Sequence, residues 1–340
     1  MNQAVRTARL RGAKEAHRIL LLAEARDRLK ANNDHIDVFS ILAELDVVVL
    51  FRPLQGLLGA FIRGGDAPGV LISTKRPLSV QRFTAAHELG HAVMNHRPSL
   101  DSEEVLRRAE AGEVTRTPSG FASWLQEVEA ESFAGELLMP RWLILHHAKR
   151  QNWGLLDLSS PAVIYQLSLR CGTSYQATVN ALQRNRLISA TAAQKAGRVA
   201  PQKIKAAIRT NPEWANGWAN TWRLSSFDSG VPIAVEVGDL IAVTLQHRAG
   251  AGYLWEFAEP LSEELSELHT HVEIPQETVG GETAKTITLR AEKASTQRLR
   301  LVEMRPWNGD SVAEAEFLIV AQSKEEGLAR ACRERLIAAV

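Results

Sequence analysis

Arg82-Phe83-Thr84-Ala85-Ala86-His87-Glu88-Leu89-Gly90-His91 is the stretch whose reading decides the fold. It contains the pattern His-Glu-x-x-His. On a helix, residues i and i+4 lie one above the other, so His87 and His91 reach a single metal ion from one face. Glu88, next to the first ligand, is placed to take a proton from the water that such an ion activates, without binding the ion itself. The flanks agree with a helix that follows a strand. Val70-Leu71-Ile72-Ser73 reads as a short buried strand, and Pro77 precedes Ser79, an expected N-cap for a helix running to about Asn95 and stopped by Pro98.

A catalytic zinc site takes a third protein ligand and keeps one position open. Candidates lie in Glu127-Val128-Glu129-Ala130-Glu131-Ser132-Phe133-Ala134, on a helix expected from about Ala122 to Met139 and ended by Pro140. Glu127 and Glu131 share a face one turn apart, Glu129 points elsewhere, and Ala130 and Ala134 permit close helix approach. Spacing alone leaves Glu127 and Glu131 open, beside the plainer reading of a solvated acidic face. His96, five residues past His91, is rotated off the ligand face; it reads as a helix-end histidine or an auxiliary group of the site. His146 and His147 read as structural or solvent-facing.

Upstream, residues 1–31 read as a polar, alanine-rich helix, and Val47-Val48-Val49-Leu50-Phe51 as a buried strand. Gly56, Gly59, Gly64 and Gly65 punctuate a hairpin. Residues 98–120 read as a charged excursion. The formal net charge is +1 and there are only 2 cysteines, Cys171 and Cys332, in unrelated contexts. That argues against a disulfide framework and a cysteine-based zinc site. No apolar run is long enough for a signal peptide or a membrane span, so a cytoplasmic setting without a membrane partner is expected.

Charge is uneven along the chain. Residues 141–210 hold 11 Lys/Arg and one acid, Asp157, in a helical pattern, whereas residues 225–326 hold 18 Asp/Glu and 8 Lys/Arg in a β pattern. Within the basic part, Pro161 to Arg170, the turn Cys171-Gly172-Thr173, and Ser174 to Arg184 have helix-turn-helix character, with Ser174 as cap. Nucleic-acid contact through residues 141–210 is therefore one expectation, and packing as a scaffold is the other. Trp214, Trp218 and Trp222 recur every four residues, a stripe expected to be buried at a junction.

Several words in order over residues 36–140 resemble the ImmA/IrrE metallo-endopeptidases. They are Arg82-Phe83-Thr84 with His87-Glu88-Leu89-Gly90-His91, then Glu127-x-Glu129-Ala130-x-x-Phe133-Ala134, then Leu137-Leu138-Met139-Pro140. The resemblance implies Glu127 as third ligand, Zn2+ as cofactor, and cleavage of a repressor-type partner. In that family the partner is commonly a helix-turn-helix repressor that controls a mobile element or a stress response. Glu131 stands where many members carry Asn.

Residues 231–322 alternate as strands do, in Ile233–Val237, Leu240–Leu245, Thr286–Leu289, Leu299–Val302 and Phe317–Val320. A β-sandwich of about a hundred residues fits. This part resembles the chagasin-type cysteine-protease inhibitors in Val237-Gly238-Asp239, Gly252-Tyr253-Leu254-Trp255, Val279-Gly280-Gly281 and Arg305-Pro306-Trp307. The resemblance implies that Tyr253, Trp255, Gly280, Gly281, Arg305, Pro306 and Trp307 bind a partner. The loop before Gly252 reads His247-Arg248-Ala249-Gly250-Ala251 where the family has Asn-Pro-Thr-Thr, which favours recognition or sensing over inhibition.

The expected whole is an α+β chain: a zincin-like metallopeptidase domain with a helix-turn-helix-like segment, followed by an immunoglobulin-like β-sandwich. Its expected boundaries are an N-terminal helical arm at 1–35, the peptidase at 36–150, the basic helical segment at 151–224, the sandwich at 225–325 and a C-terminal helix at 326–340. Two rivals stand beside the endopeptidase. One is a non-catalytic interaction protein or cysteine-protease inhibitor acting through the sandwich; the other is a DNA-binding regulator using residues 158–210.

Overall fold

The computed structural model describes residues 3–29, 34–54, 57–64, 67–96, 100–102, 118–209, 211, 214, 219–273, 283–307 and 309–322. The expected 326–340 helix, Pro98, Trp218, Gly280, Gly281 and most of the 98–120 excursion lie outside them. The chain forms two compact units. Among the described residues, one holds the chain up to Leu145 together with Cys171–Leu187, and the other holds His146–Arg170 and Ile188 onward. The 151–224 segment is thus divided between them.

The first unit opens with α1 (Gln3–Leu22), α2 (Val38–Glu44), β1 (Val48–Arg52), β2 (Leu57–Gly64), β3 (Ala67–Ser73) and α3 (Leu78–Val93). Asp37 caps α2 by accepting from the backbone N–H groups of Phe39 and Ser40. Then come the short β4 (Leu100–Ser102), α4 (Pro118–Leu138) and the start of α5 (Arg141–Arg150), whose residues from His146 on belong to the second unit. The sheet order is β1-β3-β2-β4, with β1 parallel to β3 and β2 antiparallel to both its neighbours. The glycine-rich stretch is therefore more than a turn, because Gly59 and Gly64 lie within β2. α3 begins without a side-chain cap, its N-cap being Pro77 rather than Ser79, and Gln81 donates to the Arg76 carbonyl at 2.7 Å to tie the start.

α3 is buried nearly all round, from Thr84 to His91 without a break. It packs on β2 and β3 on one side and on α4 on the other. Gly90 permits the helix crossing, since a Cβ there would lie 3.0 Å from the Phe133 ring and 3.3 Å from the Ala130 Cα. α1 is no detached arm. It lies along α4, where a Cβ on Gly12 would sit 2.1 Å from the Glu129 carbonyl oxygen. Beyond α4, the helix α6 (Pro161–Cys171) leads to a turn at Gly172 (φ +64°) and α7 (Tyr175–Arg184), with Ser174 capping as expected. Gly172 is needed twice there, for its left-handed backbone and because a Cβ would meet the Arg82 guanidinium at 2.4 Å.

The second unit is a sandwich with helices. α8 (Ala190–Gly197) and α9 (Pro201–Ile208) precede β5 (Thr221–Leu224), β6 (Pro232–Glu236), β7 (Leu240–His247), β8 (Leu254–Phe257), β9 (Leu265–Glu273), β10 (Thr283–Ala291), β11 (Ser295–Met304) and β12 (Ser311–Gln322). The two sheets run β5-β7-β10-β9 and β6-β12-β11-β8. Their inner faces share one core that includes Trp222, Val243, Trp255, Leu289, Leu301 and Phe317. Trp222, read in a helical stripe, sits instead on strand β5. Its indole N–H donates to Asp239, which also accepts from the backbone of Asn220 and Glu236. That satisfaction explains the Val-Gly-Asp word.

A buried ion pair anchors the helical part of this unit. Arg170 and Asp228 meet at 3.0 Å with side chains 2% and 0% exposed, and Gln151 donates to the same carboxylate. Asp228 also accepts from the Ser225 N–H, closing a capping box around the turn Ser226–Asp228. Removing one partner leaves a buried charge uncompensated. Asp228→Ala should therefore lower stability by about 3–5 kcal/mol in chemical denaturation, whereas truncating an exposed ion-pair partner such as Glu314 should leave the unfolding midpoint essentially unchanged.

Candidate metal centre

Three donor atoms converge where α3 faces α4. His87 Nε2 lies 3.2 Å from Glu127 Oε2, His91 Nε2 lies 3.1 Å from His87 Nε2, and His91 Nε2 lies 3.5 Å from Glu127 Oε2. All three atoms fall within 4.8 Å of one another, a spacing that suits a metal ion. His91 is fully buried, His87 nearly so, and Glu127 is half-buried at the mouth. Burial alone would raise the Glu127 carboxyl. The hydrogen bonds and charges of His87 and His91 outweigh it and hold the group well below the usual carboxylate range, so it is an anionic oxygen donor. Glu131, the local rival, is exposed on the outer face of α4.

Glu88 is fully buried on the β2 side of α3. Gly59 provides the space, since a Cβ there would lie 2.4 Å from Thr84 Cγ2, 2.9 Å from the Leu71 carbonyl and 3.1 Å from Glu88 Oε1. The sequence marked Gly59 only as punctuation. No pattern in the sequence pairs it with Glu88, since only the β2–α3 packing brings them together.

Behind the donors, His96 Nδ1 lies 3.0 Å from His91 Nδ1, on the ring edge away from Glu127. His96 Nε2 lies 2.8 Å from Glu129 Oε2, and Glu129 meets Arg11 of α1 at 3.2 Å. Burial lowers the His96 pKa against the opposing pull of Glu129. Glu129 and Arg11 were missed by the sequence reading. A carboxylate two residues from Glu127 faces another way on a helix, and that other way leads to the back of His91.

Of the sandwich's candidate residues, Tyr253, Arg305 and Trp307 lie near one another. Arg305 stacks on the Tyr253 ring at 4.4 Å and donates to the Ala251 carbonyl. Trp307 is 70% exposed, and its ring edge closes on Gly252, where a Cβ would sit 2.3 Å away. Trp255 differs, being buried in the core with its N–H donating to the Gln246 carbonyl at 2.6 Å. It supports the loops from inside instead of presenting a face. Buried Glu303 accepts from the Arg248 N–H at 2.7 Å, fixing the loop that departs from the family word.

The basic surplus is partly consumed within each unit. In the first, Arg141 bonds the Asn185 carbonyl, and Arg184 bonds Glu136 and the Gly135 carbonyl. In the second, Arg170 pairs with Asp228, Lys205 donates to the Ala219 carbonyl, and Arg209 donates to Thr221. These cations brace the fold, so the count of positive charges overstates what is offered to phosphate.

Comparison with known proteins adds two matches. Residues 42–183 match the model of the IrrE N-terminal-like domain, a peptidase family, and residues 234–320 match the chagasin family of peptidase inhibitors. No curated protein matches the chain. Among solved structures, the cysteine protease inhibitor EhICP2 from Entamoeba histolytica is 21% identical, with 31% of this chain and 98% of that one covered and a TM-score of 0.29. Amebosin is 20% identical over 30% of this chain and 98% of its own, with a TM-score of 0.26. PbICP-C, solved in complex with falcipain-2, is 18% identical over 32% and 95%, with a TM-score of 0.23. Among the described residues, no helix is long and apolar enough to cross a membrane.

The room left at Gly59 is directly testable. Gly59→Ala should destabilise the first unit by about 1–3 kcal/mol, because a Cβ there would press on the Leu71 backbone carbonyl, which cannot swing aside, and on the stiff, β-branched Thr84 side chain. Equilibrium unfolding measures it, and an unchanged midpoint would show that β2 and α3 are not in tight contact there.

Proposed function

We propose that this chain is a zinc-dependent endopeptidase whose zincin-like site is His87, His91 and Glu127 as ligands with Glu88 as general base, and that its sandwich is a recognition or sensing module. The observation that carries the reading is the donor triangle. A tetrahedral zinc ion with ligands at about 2.0–2.1 Å holds its donors roughly 3.3–3.4 Å apart, and the edges here are 3.1, 3.2 and 3.5 Å. Two imidazoles and a carboxylate are also the donor chemistry that zinc takes in catalytic sites. The peptidase family match over residues 42–183 supports the same assignment.

When bound, zinc supplies Lewis acidity, which makes a water acidic near neutral pH and polarises a peptide carbonyl. The chain's own residues do the rest. His87 and His91, one helical turn apart on rigid α3, would each offer a ring nitrogen, and Glu127 offers a negative oxygen from α4. Glu88 takes the proton from the attacking water and passes it to the departing amine. Its burial against β2 keeps it from wandering into solvent. We further propose a cytoplasmic, regulatory role, with a helix-turn-helix repressor as the substrate; the ImmA/IrrE resemblance supports that choice.

Glu88→Gln separates chemistry from metal binding. The variant should hold one zinc as wild type does, while cleavage of a co-expressed helix-turn-helix repressor falls by about 10²–10⁴-fold. Chelation should abolish wild-type cleavage, and added zinc should restore it. Equal cleavage by wild type and Glu88→Gln would end the peptidase reading.

A second reading, protease inhibition through the sandwich, is favoured by exposed Trp307 beside the Arg305–Tyr253 stack. If it holds, the full chain inhibits a papain-type cysteine protease, and Trp307→Ala weakens that inhibition by about 2 kcal/mol or more with the melting temperature unchanged. Absence of inhibition at micromolar concentration would leave the sandwich as a recognition module.

A further inference from the structure

We propose that His96 is a positioning residue for His91, the middle of a relay Arg11–Glu129–His96–His91 that fixes the His91 ring with Nε2 toward the metal. This rests on the metal reading above and extends it to residues outside the donor set. For Nε2 of His91 to offer a lone pair to a metal, the ring proton must sit on Nδ1. That Nδ1–H then donates to His96 Nδ1 at 3.0 Å. His96 must therefore carry its own proton on Nε2, which donates to Glu129 Oε2 at 2.8 Å. The Glu129 carboxylate in turn accepts from Arg11 Nη1 at 3.2 Å. This assignment of protons satisfies every link and leaves Nε2 of His91 open.

The backbone is built to make this contact. Continued helically, residue 96 would be rotated away from His91. Asn95 instead adopts φ +59°, and the His96 N–H returns to the His91 carbonyl at 3.0 Å, folding His96 under the ring it supports. His91 and His96 are 0% and 2% exposed, so water does not compete for these bonds. Arg11 comes from α1, outside the residues 42–183 that match the peptidase family. The N-terminal helix is thereby part of the site's support. Gly12, the next residue, provides the close approach that lets Arg11 reach.

The test is zinc affinity of the full chain by chelator competition, with the cobalt-substituted d–d spectrum as a second readout. His96→Phe keeps a ring and loses the bonds; Glu129→Gln keeps an acceptor and loses the charge. Each should weaken zinc binding, His96→Phe by about 10–100-fold and Glu129→Gln by less. The double variant should be no weaker than His96→Phe alone, because Glu129 acts through His96. His96→Asn, which retains an acceptor for His91, should recover part of the loss, and Glu131→Gln should bind as wild type does. Both relay variants should shift the cobalt spectrum, which a general loss of stability would not. Wild-type affinity and spectrum in His96→Phe and Glu129→Gln, with one zinc bound, overturn the relay and leave the metal reading standing. A wild-type chain that binds no zinc overturns both.

Discussion

The close crossing of α3 and α4 is the constraint from which the rest of the first unit follows. Two histidines on one helix supply only two ligands, and a third must come from a neighbour held at fixed distance. Gly90 against Phe133 and Ala130 sets that distance, with all three positions buried or lacking a side chain that would prop the helices apart. Close packing then tolerates little volume change, since interiors are as dense as organic crystals. Glu127, about one turn before Ala130 and under two before Phe133 on the same helix, is delivered to His87 and His91 as a result. The opposite face of α3 is held by the same logic at Gly59. The site is thus clamped from both sides by positions where a side chain is missing.

Much of this was legible in the sequence, for a physical reason. Helical periodicity is local, so His87, Glu88 and His91 declare their shared neighbourhood by spacing alone. Glu127 was not settled by spacing, because Glu131 lies on the same face; the resemblance selected Glu127. In the structure Glu127 lies beside the two histidines and Glu131 is exposed. The relay was illegible. Its formation needs a left-handed residue at Asn95 and a contact between Arg11 and Glu129, 118 residues apart, which no periodicity encodes. Several strands of the sandwich were visible as alternation. β5 was hidden, because Trp222 fell on a four-residue spacing that mimics a helix. β8 and β9 were hidden too, β8 by its brevity and β9 by its many polar, exposed positions.

The basic segment shows where composition misleads. Charge counted along a chain says nothing about where each cation ends. Arg170 is buried between Trp153 and Trp222 with Asp228, and Arg184 is committed to α4. Such residues carry charge in the tally and structure in the fold. The helix-turn-helix outline is real as local geometry, with Ser174 capping and Gly172 turning. Its two helices nonetheless fall mainly in different compact units.

That interleaving has a consequence for synthesis on the ribosome. The unit with the metal donors is incomplete until Leu187 has been made, yet residues 146–170 of the other unit emerge before then. Arg170 waits longer still, since its carboxylate partner lies 58 residues downstream. At roughly 5–20 residues per second, Asp228 follows after about 3–12 s. Through that interval the helix bearing Arg170 is a finished piece of secondary structure without its electrostatic anchor. The nascent chain must therefore make a segment of the second unit before the first is complete.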